Sequence, residues 1–207
     1  MKNAWLVRPY PCKIRRLDEF KEQNIIAVGW PNIGDLKGKS RQDIKEILSD
    51  APYCLTGLEL GNAYATIDIF VNRMNIGDLV LIPDDDDIYF AEITGDYYMN
   101  ASADNDDLGY PHQRKIEWLA RTSRKNLSKQ LRSSLKVHRT TADLSKHFDE
   151  INALSKGQKY EENRDSLTIP VSYPLRPDYV VSFNIPSDIT KEEAHRLSAY
   201  LGTLYFS

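Results

Sequence analysis

The sequence predicts an α+β protein: a small curved sheet flanked by helices, followed by a C-terminal strand-helix extension. Three observations lead there. From Val71 to Trp118 the chain passes from a helix end through Gly77-Asp78 into two apolar strands, with aromatic and basic residues clustered beyond them. Two capping boxes, Ser40 with Asp43 and Thr190 with Glu193, each start a helix carrying one apolar stripe. A 41% apolar composition over 207 residues suffices for one substantial core with an appendage.

Taken in order, Ala4 to Arg8 suits a first strand, ended by Pro9 and Pro11. A short helical turn from Leu17 to Gln23 packs Leu17 and Phe20, and the apolar run Ile25 to Trp30 reads as a buried strand closed by Pro31 and Gly34. Ser40 caps a helix whose stripe is Ile44, Ile47 and Leu48, limited by Pro52. Ala63, Ile67, Phe70, Val71 and Met74 recur at helical spacing and predict a core-facing helix from Asn62 to Asn75. Leu79 to Ile82 and Ile88 to Ile93 form a hairpin around the charged turn Asp84 to Asp87, and Gly95 allows a bend into Tyr97-Tyr98-Met99. The loop from Asn100 to Gly109, polar and rich in small residues, is expected to be mobile, and a strand with unlike faces follows Pro111. Leu127-Ser128 staples and caps a short helix, and Thr141 to Lys156 forms another that ends at Gly157. Gly157 to Thr168 is the best linker; beyond it come the strand Tyr179 to Ile185 and the helix begun by Thr190. This divides the chain into a recognition domain, 1–140, and an extension, 141–207.

Cys12 and Cys54 lie far apart without ligand-spaced neighbours, so neither a disulfide framework nor a metal site is indicated, and free thiols point to the cytoplasm. No run approaches membrane length, and the N-terminus lacks a signal-peptide pattern. The net charge of -3 argues against a histone-like binder of nucleic acid, but the charge is segregated. Nine acidic residues and no Lys or Arg lie between Asp84 and Asp107, whereas nine Lys or Arg and one acidic residue lie between His112 and Arg139. Such blocks either neutralise each other across a hairpin or present a cationic face.

The order of an apolar strand ending IIAVGW, a helix, GDLVLIP, IYFAEITGDYY and YPHQRKIEWL resembles the PUA-like superfamily, in particular the EVE- and YTH-like domains of bacterial modification-dependent restriction and phage-defence proteins. The resemblance covers Trp5 to Leu135. It implies a strongly curved mixed sheet or partial barrel flanked by helices, and a domain that binds DNA or RNA, often holding a modified or flipped base between aromatic walls. The C-terminal stretch from Pro174 also looks like a strand-helix module found at the ends of bacterial defence-associated proteins.

On that reading Trp30 and Tyr98 wall the pocket, Asp35 and Asn72 read polar edges, and His112, Arg114, Lys115, Arg121, Arg124 and Lys125 contact base or phosphate. The competing role for Trp118 is core packing. Catalysis lacks a complete constellation, and no cofactor is expected. Asp78 and Glu92 imitate part of a metal-dependent nuclease pattern, but Thr94 stands where its lysine belongs. Asp104, Asp106 and Gly109 start like a calcium loop, with Lys115 in place of the closing glutamate. The alternative to a reader is a regulatory subunit of a defence system, docking on a protein partner or a second copy through the extension.

Overall fold

A computed structural model describes residues 2–160 and 168–204. They form two compact units, 1–160 and 161–207. In the first, β1 (Ala4–Val7) is followed by α1 (Leu17–Gln23), β2 (Ile25–Val28), α2 (Arg41–Ser49) and α3 (Gly57–Asp68). Then come β3 (Leu79–Asp84), β4 (Asp87–Ile93), β5 (Tyr98–Met99), β6 (His112–Ser123), α4 (Lys129–Ser134), β7 (Thr141–Asp143) and α5 (Phe148–Ser155). The sheet order is β2-β6-β4-β3-β1-β7, with β5 also on β6. Only β1 and β3 run parallel; the other pairs are antiparallel.

The curvature comes from β6. Its first residues, His112 to Lys115, pair with β2, while Ile116 to Ser123 pair with β4. One strand therefore serves both halves of a strongly curved mixed sheet. A bulge opposite Phe90/Ala91 lets Ala91 face Trp118 and Phe90 face Ala120, adding twist midway. Both faces of the central strands are covered. Trp5, Val7, Val80 and Ile82 pack with Ile44, Leu48, Ile67 and Phe70 from α2 and α3 and the turn after it. Ala4, Leu6, Leu79 and Leu81 pack on the other side with Leu131 and Leu135 near α4 and Ile151 and Leu154 from α5. Two-sided burial explains why these strands read as continuous apolar runs rather than alternating ones.

Polar side chains lock the chain where these elements meet. The buried Asp78 carboxylate accepts from the Asn3 and Asn75 backbone N–H groups and from the Trp5 indole at 2.8 Å. It is a structural knot between β1 and β3. After α3 the helix widens over Ile69–Arg73, with the Met74 N–H reaching the Ile69 carbonyl. The capping box of Ser40 and Asp43 and the left-handed Gly157 end are both present.

Several expectations change. The predicted helix over 141–156 begins instead as β7, antiparallel to β1, and becomes helical only later; α5 then packs into the second core. The boundary expected at 140/141 therefore moves to 160/161. The 100–109 loop is pinned rather than loose: Asn105 accepts from the Asp107 and Leu108 N–H groups, and Asp104 and Asp106 bind Asn32. Most of the linker reading at 157–168 lies outside the described residues.

The second unit consists of β8 (Thr168–Arg176), β9 (Tyr179–Pro186) and α6 (Lys191–Leu201), with the Thr190–Glu193 capping box at the helix start. Strand β8 was not legible in the sequence, since Pro170 and Pro174 interrupt it.

Candidate functional site

In the segments after β1, β2 and α2 the backbone takes conformations that side chains normally avoid. Cys12, Lys13, Trp30, Asn32 and Cys54 all have φ between +49° and +66°. Non-glycine residues held there cost about 1–3 kcal/mol each and persist only where the surroundings fix them. The fixing contacts are visible. Cys12 Sγ donates to the Gly109 carbonyl at 3.3 Å, and a Cβ at Gly29 would meet that sulfur at 3.1 Å, so the 10–13 turn seats directly on the end of β2.

These turns enclose a hollow of about 260 Å³ whose lining includes Tyr10, Cys12, Lys13, Trp30, Tyr53 and Thr140. Its three rings are held from behind. The Tyr10 hydroxyl donates to Asp84 at 2.8 Å, and Arg15 grips the same carboxylate and holds it below its usual range. The Tyr53 hydroxyl donates to the Pro31 carbonyl, and burial pushes its pKa up to about 12. A second hollow, about 320 Å³, shares Trp30 and Thr140 and is bordered by Glu59, Asn62, His138 and Arg139. Trp30 thus borders both hollows.

A buried relay positions Trp30. The Leu36 N–H donates to the Tyr97 hydroxyl oxygen, the Tyr97 hydroxyl lies 2.9 Å from His112 Nδ1, and His112 Nε2 lies 3.2 Å from the Trp30 carbonyl. A carbonyl can only accept, so Nε2 carries the proton and Nδ1 accepts from Tyr97. Burial drives the His112 pKa down to about 4, against the opposing pull of the Asp104 and Asp35 carboxylates. The ring is therefore neutral at pH 7, as this hydrogen-bond order requires.

Of the residues expected at the site, Trp30 lines the hollows and the others do not. His112 is fully buried and acts through Trp30. Arg114 is buried as well: its Nε and Nη2 donate to the Phe70 and Val71 carbonyls at 2.7 and 2.9 Å, satisfying groups left unpaired where the helix ends. It cannot face a phosphate. Tyr98 spends its hydroxyl on Gln113, Asp35 accepts from the Lys37 N–H, and Asn72 bonds Asp68. Arg121 pairs with Asp87 at 2.6 Å, so there the opposite charges neutralise each other across the strands, and Arg124 donates to the Asp85 backbone carbonyl. Lys115 reaches the Gln23 carbonyl, and Lys125 is exposed. Trp118 is half-buried edge-on to Tyr89.

Tyr10, Lys13, Tyr53, His138, Arg139 and Thr140 were missed. Tyr10 had a signal, an aromatic between two prolines at a strand end; the left-handed turns near Lys13 and Tyr53, and the segment before β7 that carries His138 to Thr140, are not written in residue type. Among the described residues, Lys13, His138 and Arg139 have no side-chain hydrogen bond or ion pair, and the Trp30 indole N–H has no acceptor. The arrangement offers flat apolar walls, unused donors and three cationic or titratable groups at the rim. No three His, Cys, Asp or Glu side chains among the described residues are grouped so as to hold a metal ion. No described helix is long and apolar enough to cross a membrane.

No curated protein matches the chain. The crystal structure of protein Atu2648 from Agrobacterium tumefaciens is similar at 11% identity, covering 78% of this chain and 99% of that one with a TM-score of 0.33, a likeness that fixes neither fold nor function. Residues 13–145 match the family described as a domain of unknown function, DUF8426, and the chain belongs to that family.

Proposed function

We propose that this DUF8426 chain is a PUA-like nucleic-acid reader that seats a base, modified or extruded, against Trp30. The observation carrying this reading is the convergence of Tyr10, Trp30 and Tyr53 on one hollow, with Lys13, Arg139 and His138 unpaired around it and the neighbouring one. Flat rings suit a planar heterocycle, and stacking on an aromatic contributes about 1–3 kcal/mol per base. The free indole N–H and the Thr140 hydroxyl suit the polar edge of such a ring, and the rim cations suit the phosphates that follow it. The phosphate contacts earlier assigned to Arg114 pass to Lys13 and Arg139.

Fluorescence anisotropy with modified and unmodified oligonucleotides, single- and double-stranded, over a salt series tests this. Trp30→Ala is expected to weaken binding about 5- to 150-fold, the range that stacking energy allows. Replacing Lys13 and Arg139 with Ala should lower the salt slope by about two. No binding to any oligonucleotide at low salt, or binding indifferent to Trp30→Ala, would overturn the reading.

A further inference from the structure

The second unit is short of partners. Among its described residues none reaches full burial, and Tyr173, Leu175, Tyr179 and Val180 are more than half exposed. An isolated two-stranded hairpin is marginal in water and gains stability from a helix packed on it or from further strands. Here one helix is present and no described side chain of the unit is fully buried, which leaves room for more strands.

The two edges of this sheet differ chemically. In β8, Pro170 and Pro174 face Asn184 and Val180 across the ladder. Proline has no N–H to give, so these positions belong to pairs whose backbone groups point away from the partner strand. The Ser172 and Ser182 hydroxyls, 3.0 Å apart at the pair between them, agree, because side chains come closest in such pairs. The outer edge of β8 therefore lacks donors at two places. By the same parity, Val180, Ser182 and Asn184 turn their N–H and C=O groups outward along β9, where nothing among the described residues pairs with them.

Edge strands are normally protected by charge, proline or a bulge. From Tyr179 to Asn184, β9 has none of these on its outer edge. An apolar hollow of about 540 Å³ lies against β9 and α6: Val181, Phe183, Ile185, Leu197 and Leu201 help line it, and no residue of β8 does.

We propose that β9 pairs antiparallel with β9 of a second copy about a two-fold axis at Ser182. In that register Val180 faces Asn184 of the other chain, all three outward donors find carbonyls, and no charged side chain opposes its own copy. The result is a four-stranded sheet, β8-β9-β9-β8, with both proline-blocked strands outermost. Assembly stops at two chains because neither remaining edge can extend it.

Sedimentation velocity on the full-length chain across a micromolar concentration series tests this, with far-UV circular dichroism monitoring the fold. A dimer is expected. Ser182→Pro, which removes an outward donor, and Ser182→Lys, which sets like charges together at the axis, should each raise the dimer dissociation constant at least tenfold. Ser172→Pro, on the blocked edge, should leave it unchanged. Should Ser182→Pro disturb the fold, Ser182→Lys decides. A monomer throughout, assemblies larger than two, or a dimer indifferent to Ser182→Lys would overturn the proposal.

Discussion

A guanidinium wedged among backbone carbonyls in a buried corner has no exposed alternative to them. Replacing Arg114 with Met keeps its bulk but leaves the Phe70 and Val71 carbonyls unpaired, and a loss of about 2–4 kcal/mol is expected in urea unfolding. Its role was illegible in the sequence because Arg114 sits beside Lys115 in what looks like one basic cluster. Strand alternation sends the first inward and the second outward. His112 was misread for the opposite reason: its relay partners, Tyr97 and the Trp30 carbonyl, are distant in sequence. Its consequence is a pH dependence. The unfolded chain takes up the imidazole proton near pH 6.5 and the folded one only near pH 4, so between these values the unfolded state binds more protons. Stability is expected to fall by about 3 kcal/mol as pH drops through that window. Burial lowers the His147 pKa too and adds to the same slope. Denaturant titrations at pH 4.5 and 7 should show His112→Gln losing most of it.

Among the elements, those bounded by local chemistry were legible: α1 spans the predicted residues, and α2, α4 and α6 start at the predicted caps. Elements that exist only through pairing were not. β7 is three residues long and owes its conformation to β1, and α5 beyond it is fixed from a distance. The buried Glu150 of α5 accepts from the Ser128 N–H at 2.6 Å and from its hydroxyl at 2.7 Å, while that hydroxyl accepts from the Leu131 N–H. A residue near the end of the first unit thus completes the cap of α4. Glu150→Ala is expected to cost about 1–3 kcal/mol and to fray α4 first, read as faster amide exchange at Leu131 and Arg132 than elsewhere in the second core.

For the whole molecule, every buried apolar side chain among the described residues lies at or before Leu154. A chain ending at Tyr160 should therefore keep the thermal midpoint of the first unit within a few degrees of its value in the full chain, as calorimetry would show. The curved sheet was legible as a class, but its manner of curving was not, since nothing in the residues of β6 announces that one strand will be shared. That sharing limits how the family can vary. The two halves of the sheet cannot be traded as cassettes between relatives, because a crossover anywhere within 112–123 would splice a strand cut to fit one neighbour onto a strand cut to fit another. Chimeras joined in the turns on either side are expected to be recovered as soluble protein, and those joined inside the strand to be lost.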